Sequence, residues 1–215
     1  MFQRKFLCTS IYLGSNDGGW TAWRGRIACK LSWRSLQIWP EEKSGKPQSG
    51  RKTEPPARRM LLSAVWRLII AGQRLLSARK ALRLARSGVL VITDRWPQNL
   101  RFGYLDGPSV PPPPQFVLAS FLNRIEHRIY ARIVAYQPDL SIHFLSDFET
   151  TEARKPGDTT AEAFALRLQL LEEMRASNPS IPVVDARQEL DVVTSQLGAL
   201  VWSAMYEMQS SQPQT

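Results

Sequence analysis

The chain has 215 residues, 43% of them apolar, which is enough for one α/β domain with a hydrophobic core. The length alone does not indicate a second domain. Its two cysteines have no C-x-x-C spacing and suggest neither a disulfide framework nor a zinc site, and its two histidines exclude a histidine-rich metal site. The net charge of +9 is uneven, because residues 1–110 hold 20 Lys and Arg against 6 Asp and Glu, whereas residues 111–215 hold 8 against 13.

The N-terminal region, residues 1–56, is expected to be irregular apart from one strand. Residues 6–13, FLCTSIYL, are apolar and rich in β-formers, and the turn sequence GSNDGG follows them. The segment 44–53, SGKPQSGRKT, has the glycine spacing of a phosphate-binding loop, but Arg51 interrupts the G-K-[ST] ending that the loop requires. Since an inserted residue displaces the lysine and the hydroxyl from the phosphates, we interpret this segment as a linker.

A long helix and a buried strand are predicted next. From about Ala57 to Arg86, apolar residues recur at three-, four- and seven-residue steps, and Gly88 is suited to end the helix. The following run, GVLVITDRW, does not alternate between apolar and polar residues, which is typical of a parallel strand buried on both faces. The apolar stripe of the helix consists of Leu61, Val65, Leu68, Leu75 and Leu82.

The rest of the chain predicts further helices that alternate with apolar strands. Four prolines at 111–114 require a loop there. The predicted elements are a helix at 115–135, a strand within 138–147, a helix from the T-x-x-E capping box at 159–162 to about 176, a strand at 181–186, a helix from 185–188 to about 208, and a disordered tail at 209–215. This order is the pattern of an α/β domain at 57–208, a doubly wound parallel sheet with flanking helices.

Polar residues stand at the carboxyl ends of three predicted strands, where ligands bind in open parallel sheets. Asp94 and Arg95 form the most specific pair, because a carboxylate that orients Mg²⁺ would stand beside a guanidinium that binds phosphate. A capping Asp followed by a surface Arg explains the same pair equally well. For Asp147 and Asp185, a helix-capping role is the preferred interpretation.

Three segments together resemble the thymidylate kinase family of P-loop nucleoside monophosphate kinases. The stretch IAGQRLLSARKALRLARSGVLVITDRW resembles the family's central helix and the strand that ends in D-R-[YFWH]. The stretch QPDLSIHFLSDFETTEARKPGD is similar to its next strand and basic lid, and IPVVDARQELDVVTSQL to its last strand and helix. The resemblance covers residues 57–208.

The resemblance implies a role for five residues. It implies that Arg95 grips the acceptor monophosphate and that Asp94 orients Mg²⁺ or the acceptor. It also implies that Arg74 contacts the bound nucleotide, and that the lid residues Arg154 and Lys155 stabilise charge on the donor phosphates of ATP. For the last two residues, a cation pair at a helix C-terminus that answers the helix dipole is the alternative.

The sequence departs from the family at two parts of the acceptor site. Ile70 replaces the aromatic residue that stacks on thymine. The stretch after the D-R-W motif is also different, and Tyr104 and Asp106 are candidates to replace the missing contacts, with a simple Asp-Gly-Pro turn as the alternative.

The family's opening strand and its phosphate-binding loop have no counterpart in the sequence. If residues 6–13 correspond to the family's second strand, the fold expected is P-loop NTPase-like without its first strand, from an N-terminally shortened chain.

Three functional hypotheses follow. The first is a thymidylate-kinase-like transferase that uses ATP and Mg²⁺ on a nucleoside monophosphate and is weak or inactive without its phosphate-binding loop. The second is a non-catalytic regulatory relative, and the third is a basic nucleic-acid-associated protein, which only the basic half supports. We expect a cytoplasmic protein without a membrane partner, because no apolar run reaches roughly 20 residues and no leader is recognisable. The resemblance also implies a nucleotide as substrate and a possible homodimer.

Overall fold

The computed structural model describes residues 7–13, 57–103, 106–157 and 159–210. They belong to two compact units, the first ending at Gln137 and the second beginning at Pro138. The predictions of an irregular region and linker at 14–56 fall outside the described residues, as does Tyr104. The prediction of a disordered tail from residue 209 is wrong for residues 209 and 210, which belong to the last helix, and the rest of that prediction falls outside the described residues.

The described elements alternate as the sequence predicts. The first unit contains β1 (Cys8–Tyr12), α1 (Ala57–Arg86), β2 (Leu90–Asp94) and α2 (Val117–Ala135). The second contains β3 (His143–Leu145), α3 (Phe148–Arg154), α4 (Ala161–Ser177), β4 (Val183–Asp185) and α5 (Leu190–Ser210). The chain is therefore a mixed α/β protein.

The strands pair in parallel, but not in the single sheet that the sequence predicts. β1 pairs with β2 in a register that runs from Cys8 opposite Leu90 to Tyr12 opposite Asp94. β3 pairs with β4, which places Leu145 opposite Asp185. Within the described residues the result is two two-stranded parallel sheets with flanking helices.

The expectation of a strand buried on both faces is wrong for β2, and β3 also has an exposed side. The exposed fraction is 51% for Ile92 in β2 and 49% for Phe144 in β3. In the first unit α1 is the helix that packs on β1 and β2, so one helix covers a narrow sheet. A narrow sheet covered on one face leaves alternate side chains open.

The core of the first unit lies between α1, α2 and the ends of the strands. Leu13, Ala78 and Ile133 form its fully buried centre. The partly buried side chains packed around this centre are Leu75, Trp96, Ile129 and Tyr136.

The most deeply buried row of α1 is not the leucine stripe that the sequence predicts, although Leu75 of that stripe packs against the core. Val65, a member of that stripe, is 40% exposed. The buried residues instead include Met60, Ala64, Ala71, Arg74, Ala78 and Ala81, which follow one another at steps of four, seven, three, four and three. This heptad-like row of mostly small residues packs against α2, where small side chains permit a close approach of the two helices.

The C-terminus of α1 confirms the role predicted for Gly88. Its φ of 81° is the left-handed conformation that glycine adopts without strain. Its N–H donates to the carbonyl of Ala85 at 2.9 Å, and the N–H of Val89 donates to that of Leu84 at 3.1 Å. These two bonds form a Schellman motif, which ends the helix and directs the chain into β2.

The start of α4 differs by one residue from the predicted capping box. Thr160, not Thr159, is the N-cap, and its hydroxyl accepts a hydrogen bond from the N–H of Ala163 at 3.3 Å. Glu162 lies in the first turn, where a negative charge favours the helix dipole.

One described helix segment, Met60–Arg86, is long and apolar enough, by length and composition, to cross a membrane. Core helices of soluble proteins pass the same test. This segment carries Arg74, whose guanidinium is buried against protein groups of the first unit.

Candidate functional site

The carboxyl end of β2 carries the predicted pair Asp94 and Arg95. Arg95 has a φ of 62°, so a residue with a side chain adopts the left-handed conformation directly after the strand. Its side chain is 61% exposed. Such backbone strain concentrates at functional sites.

Asp106 is the centre of this site. One carboxylate oxygen, Oδ1, binds Nη2 of Arg74, and the other, Oδ2, lies 3.5 Å from Nη1 of Arg95. Asp106 has a φ of 57°, and together with Arg95 it makes up the non-glycine residues of positive φ in the described part of the chain. The two strained residues are therefore joined through their side chains.

The electrostatics of Arg95 follow from these neighbours. Burial acts to lower the pKa of Arg95, but the negative charges of Asp106 and Asp94 and the phenol of Tyr12 raise it, and the net shift is upward. The guanidinium therefore stays charged, and its exposed side is directed at solvent.

Arg74 lies behind Asp106 and is almost completely buried. Its Nε donates to the carbonyl oxygen of Leu13 at 3.0 Å, and its Nη1 donates to the carbonyl oxygen of Asp106 at 2.9 Å and to the hydroxyl of Tyr130. The guanidinium also lies 5.7 Å from the centre of the Tyr130 ring, within cation–π range. These contacts tie β1, α1, α2 and the loop together, and the predicted contact between Arg74 and a nucleotide stays a prediction.

Tyr130 is the group of this site with the largest pKa shift. Burial raises its pKa from 10.0 to about 12, although the nearby Arg74 acts to lower it. The folded protein therefore holds the phenolic proton more tightly than the unfolded chain does. The resulting stabilisation is present below about pH 10 and is lost as the pH rises through about 12.

This shift predicts a steeper alkaline loss of stability in the wild type than in Tyr130→Phe. Two pH units correspond to about 2–3 kcal/mol of linked free energy. Urea unfolding at several pH values between 10 and 12 measures this loss. Equal slopes in the two proteins would show that the phenol titrates normally.

The loop that carries Asp106 is fixed by α2. Ser109 donates its N–H to Oε1 of Glu126 at 3.0 Å and its hydroxyl to Oε2 of the same carboxylate. Nδ2 of Asn123 donates to the hydroxyl of Ser109 at 2.9 Å, and Nε2 of His127 lies 2.9 Å from its carbonyl oxygen. Since a carbonyl only accepts, His127 donates there. Every polar group of Ser109 thus has a partner on α2.

A second arginine, Arg67, is partly buried two turns before Arg74 on α1. Arg67 donates from Nη2 and Nε to the hydroxyl of Ser63 at 2.7 and 3.1 Å. Burial lowers the pKa of Arg67, and the charge of Glu126 opposes that shift. The basic residues of this helix are therefore not all exposed, since Arg74 is buried and Arg67 is partly buried.

In the second unit, polar groups follow β3 and β4 as predicted. Asp147 caps α3 by accepting from the N–H of Thr150 at 2.7 Å, a bond that lowers the pKa of Asp147 and confirms its structural role. Asp185 does not cap α5. It pairs with Arg187, whose Nε and Nη2 lie 2.8 and 2.7 Å from its two oxygens, and these bonds lower the pKa of Asp185 to about 2.

A cleft of about 450 Å³ lies beside these strand ends, wholly within the second unit. Predicted lid residue Arg154, the last residue of α3, lines it, whereas Lys155 is exposed at the C-cap of that helix. The remaining lining is mostly apolar, with one amide. The residues of the cleft are Phe144, Arg154, Ala186, Gln188, Leu190 and Val193.

The role of Asp94 as a ligand of Mg²⁺ stays a prediction. Asp94 is exposed at the end of β2. In the described ranges no group of three or more His, Cys, Asp or Glu side chains is placed to hold a metal ion. Mg²⁺ is commonly bound by one or two carboxylates together with substrate phosphates, and a lone Asp94 fits only that mode.

Comparison with known proteins finds relatives whose name refers to ATP binding. The chain is 34% identical over 165 residues to "Uncharacterized ATP-binding protein YghR" of Escherichia coli strain K12, and equally to the protein of that name from Escherichia coli O6:H1. The match covers 74% of this chain and 64% of the length of those relatives. No family model matches the chain, and no solved structure matches it significantly. The chain is homologous to a protein named for ATP binding.

Proposed function

We propose that this chain is a P-loop NTPase-like nucleotide-binding protein of the thymidylate-kinase-like type, with ATP as donor and a phosphate-bearing acceptor. Two findings support the proposal. The relatives in Escherichia coli are named for ATP binding. The second unit also has a cleft with an arginine, an amide and apolar walls, a combination that can accommodate a planar heteroaromatic base.

The cleft carries the proposal, and Arg154 is its central residue. A guanidinium stacks on an aromatic base and also pairs with phosphate oxygens, whereas the side chains of Phe144 and Leu190 offer apolar contact. The amide of Gln188 supplies a donor and an acceptor for the edge of the base. The adjacent Lys155 is exposed and adds a second positive charge for the phosphates.

The acceptor is assigned to the first unit. Arg95 presents an exposed, charged guanidinium at the end of β2, the position at which parallel sheets bind ligands. Asp94 is the residue that would share Mg²⁺ with the phosphates. In the proposed reaction the terminal phosphoryl group of ATP is transferred to an oxygen of the acceptor phosphate and ADP leaves, so positioning and charge neutralisation are what the protein has to supply.

Binding of ATP tests the proposal directly. At ATP concentrations of about ten times Kd, binding to the native state adds about 1.4 kcal/mol, which corresponds to a rise in Tm of about 3–5 °C. Arg154→Ala is expected to weaken ATP about tenfold, because one charged contact and the stacking are lost. Arg132→Ala, which removes an exposed arginine of α2, is the matched control and should bind like the wild type.

The outcomes separate the functional hypotheses. A Tm that does not respond to ATP, or equal affinities in Arg154→Ala and the wild type, would overturn the assignment of the cleft. ATP binding without transfer to any nucleoside monophosphate would identify a non-catalytic relative. The sequence, which contains no G-x-x-x-x-G-K-[ST], leads us to expect weak affinity.

A further inference from the structure

Two arginines of the first unit converge on one carboxylate of the chain itself. Asp106 binds the buried Arg74 through one oxygen and the exposed Arg95 through the other. A carboxylate between two guanidiniums stands where the oxygens of an anionic ligand would stand. The strengths of the two contacts are unequal, and this inequality decides which of them a ligand can replace.

The contact between Asp106 and Arg74 is the stronger of the two. Arg74 is 5% exposed, and Asp106 also provides its backbone oxygen to the same guanidinium at 2.9 Å. Removing the carboxylate from Arg74 would leave a buried charge without its counter-ion, which is strongly unfavourable.

Asp106 is also held from the other side. Pro108 is fully buried and its carbonyl oxygen accepts from the N–H of Gly103 at 2.7 Å. Ser109 is bound by the carboxylate of Glu126. The segment from Asp106 to Ser109 is therefore anchored at its end, and the backbone of Asp106 cannot move far without breaking these bonds.

The contact with Arg95 is of the opposite kind. Its length of 3.5 Å is at the limit of a hydrogen bond, and the arginine side chain is 61% exposed. Exposed ion pairs of this geometry contribute little, because water screens them and the side chain loses freedom. Arg95 is the partner that a ligand can draw away.

We propose that Asp106 is an internal competitor for the anion-binding arginine: a phosphate monoester binds by drawing Arg95 off Asp106, while Arg74 stays paired. This inference rests on the proposed function, because it concerns the acceptor site assigned to Arg95. Asp106 lowers the affinity of that site, both by occupying Arg95 and by repelling the ligand. It thereby sets the affinity for the acceptor without touching it.

The size of the effect follows from Coulomb's law. A full negative charge about 6 Å from a ligand, in nearly aqueous surroundings, weakens a monoanion about threefold and a dianion about tenfold. The gain on removing that charge should therefore scale with the charge of the ligand. A side chain that only supports the loop would produce no such dependence.

The experiment measures two ligands of the same chemistry by NMR titration at low salt near pH 8, where a phosphate monoester is a dianion. For Asp106→Asn, which keeps an oxygen for Arg74, Kd should fall about tenfold for methyl phosphate and about threefold for dimethyl phosphate. Asp139→Asn removes an exposed charge of the second unit, and its affinities should equal those of the wild type. Unchanged or weakened binding in Asp106→Asn would overturn the proposal.

Two further measurements complete the test. In the wild-type protein, methyl phosphate should shift the guanidinium NMR signal of Arg95 and leave that of Arg74 in place. This measurement does not require a variant to fold. A shift at Arg74 without one at Arg95 would contradict the proposal that the ligand replaces Asp106 at Arg95. Arg95→Ala should lose methyl phosphate binding. If Arg95→Ala binds it as the wild type does, the acceptor site of the proposed function is wrong, whereas loss in Arg95→Ala with no gain in Asp106→Asn overturns this inference alone.

Discussion

Replacing Arg74 by alanine is expected to lower the free energy of unfolding by about 3–5 kcal/mol, the usual effect of breaking a buried ion pair from one side. The substitution removes the counter-ion of Asp106, which is 11% exposed, and the donor of the Leu13 carbonyl. It also leaves the hydroxyl of Tyr130 without the guanidinium. Groups buried without partners account for most of the expected loss.

The loss is measured by urea unfolding and by Tm, which should fall by about 10 °C. Arg132→Ala is the control of equal charge on an exposed position of α2, and it should change stability by less than about 0.5 kcal/mol. Arg74→Met fills the same space without charge and separates the loss of volume from the loss of the ion pair. If Arg74→Ala were as stable as the control, the guanidinium would not be the buried link between β1, α1 and α2.

The helices were largely predictable, because their signals are local. The capping threonine of α4, the glycine after α1 and the proline run before α2 each act within a few residues of the helix end that they define. The buried face of α1 was not predictable in the same way. Its leucines outweigh its alanines in any measure of hydrophobicity, but the alanines permit close packing against α2, and packing decided which face is buried.

The candidate site was predictable only in part, for a similar reason. Asp94 and Arg95 are adjacent in the sequence and could be recognised together at the end of a strand. The partners of Arg74 are 61 residues away for Leu13, 56 for Tyr130 and 32 for Asp106, distances over which no local pattern operates. The sequence therefore indicates that Arg74 is important without indicating that its guanidinium is buried.

The role of Asp106 illustrates the limit most clearly. From the sequence, Asp106 is either a replacement for the missing acceptor contacts or part of a simple Asp-Gly-Pro turn. In the structure it is part of a turn and also a charged group at the site, because α2 holds the following Ser109 from 17 residues further along the chain. Whether a turn residue is functional depends on what is packed behind it, which a turn sequence does not specify.

Glu126→Ala should accordingly destabilise the first unit by about 2–4 kcal/mol, although its position in the middle of α2 suggests an ordinary helix residue. Glu126 is 3% exposed and accepts from the N–H and hydroxyl of Ser109 and from Asn123. Alanine leaves these donors unsatisfied and removes a negative charge that favours the charged form of Arg67. Glutamine retains one acceptor oxygen and should lose only about half as much.

The effect of Glu126→Ala should be strongest around Ser109. Amide hydrogen exchange at Ser109 should accelerate strongly in Glu126→Ala, because its N–H loses the carboxylate, while exchange in β4 of the second unit should not change. Glu172→Ala, at an exposed position of α4, should leave both unchanged. Uniform acceleration throughout the chain would indicate general unfolding and contradict the anchoring role. A selective effect at Ser109 would show that the Glu126 carboxylate fixes the loop that carries Asp106.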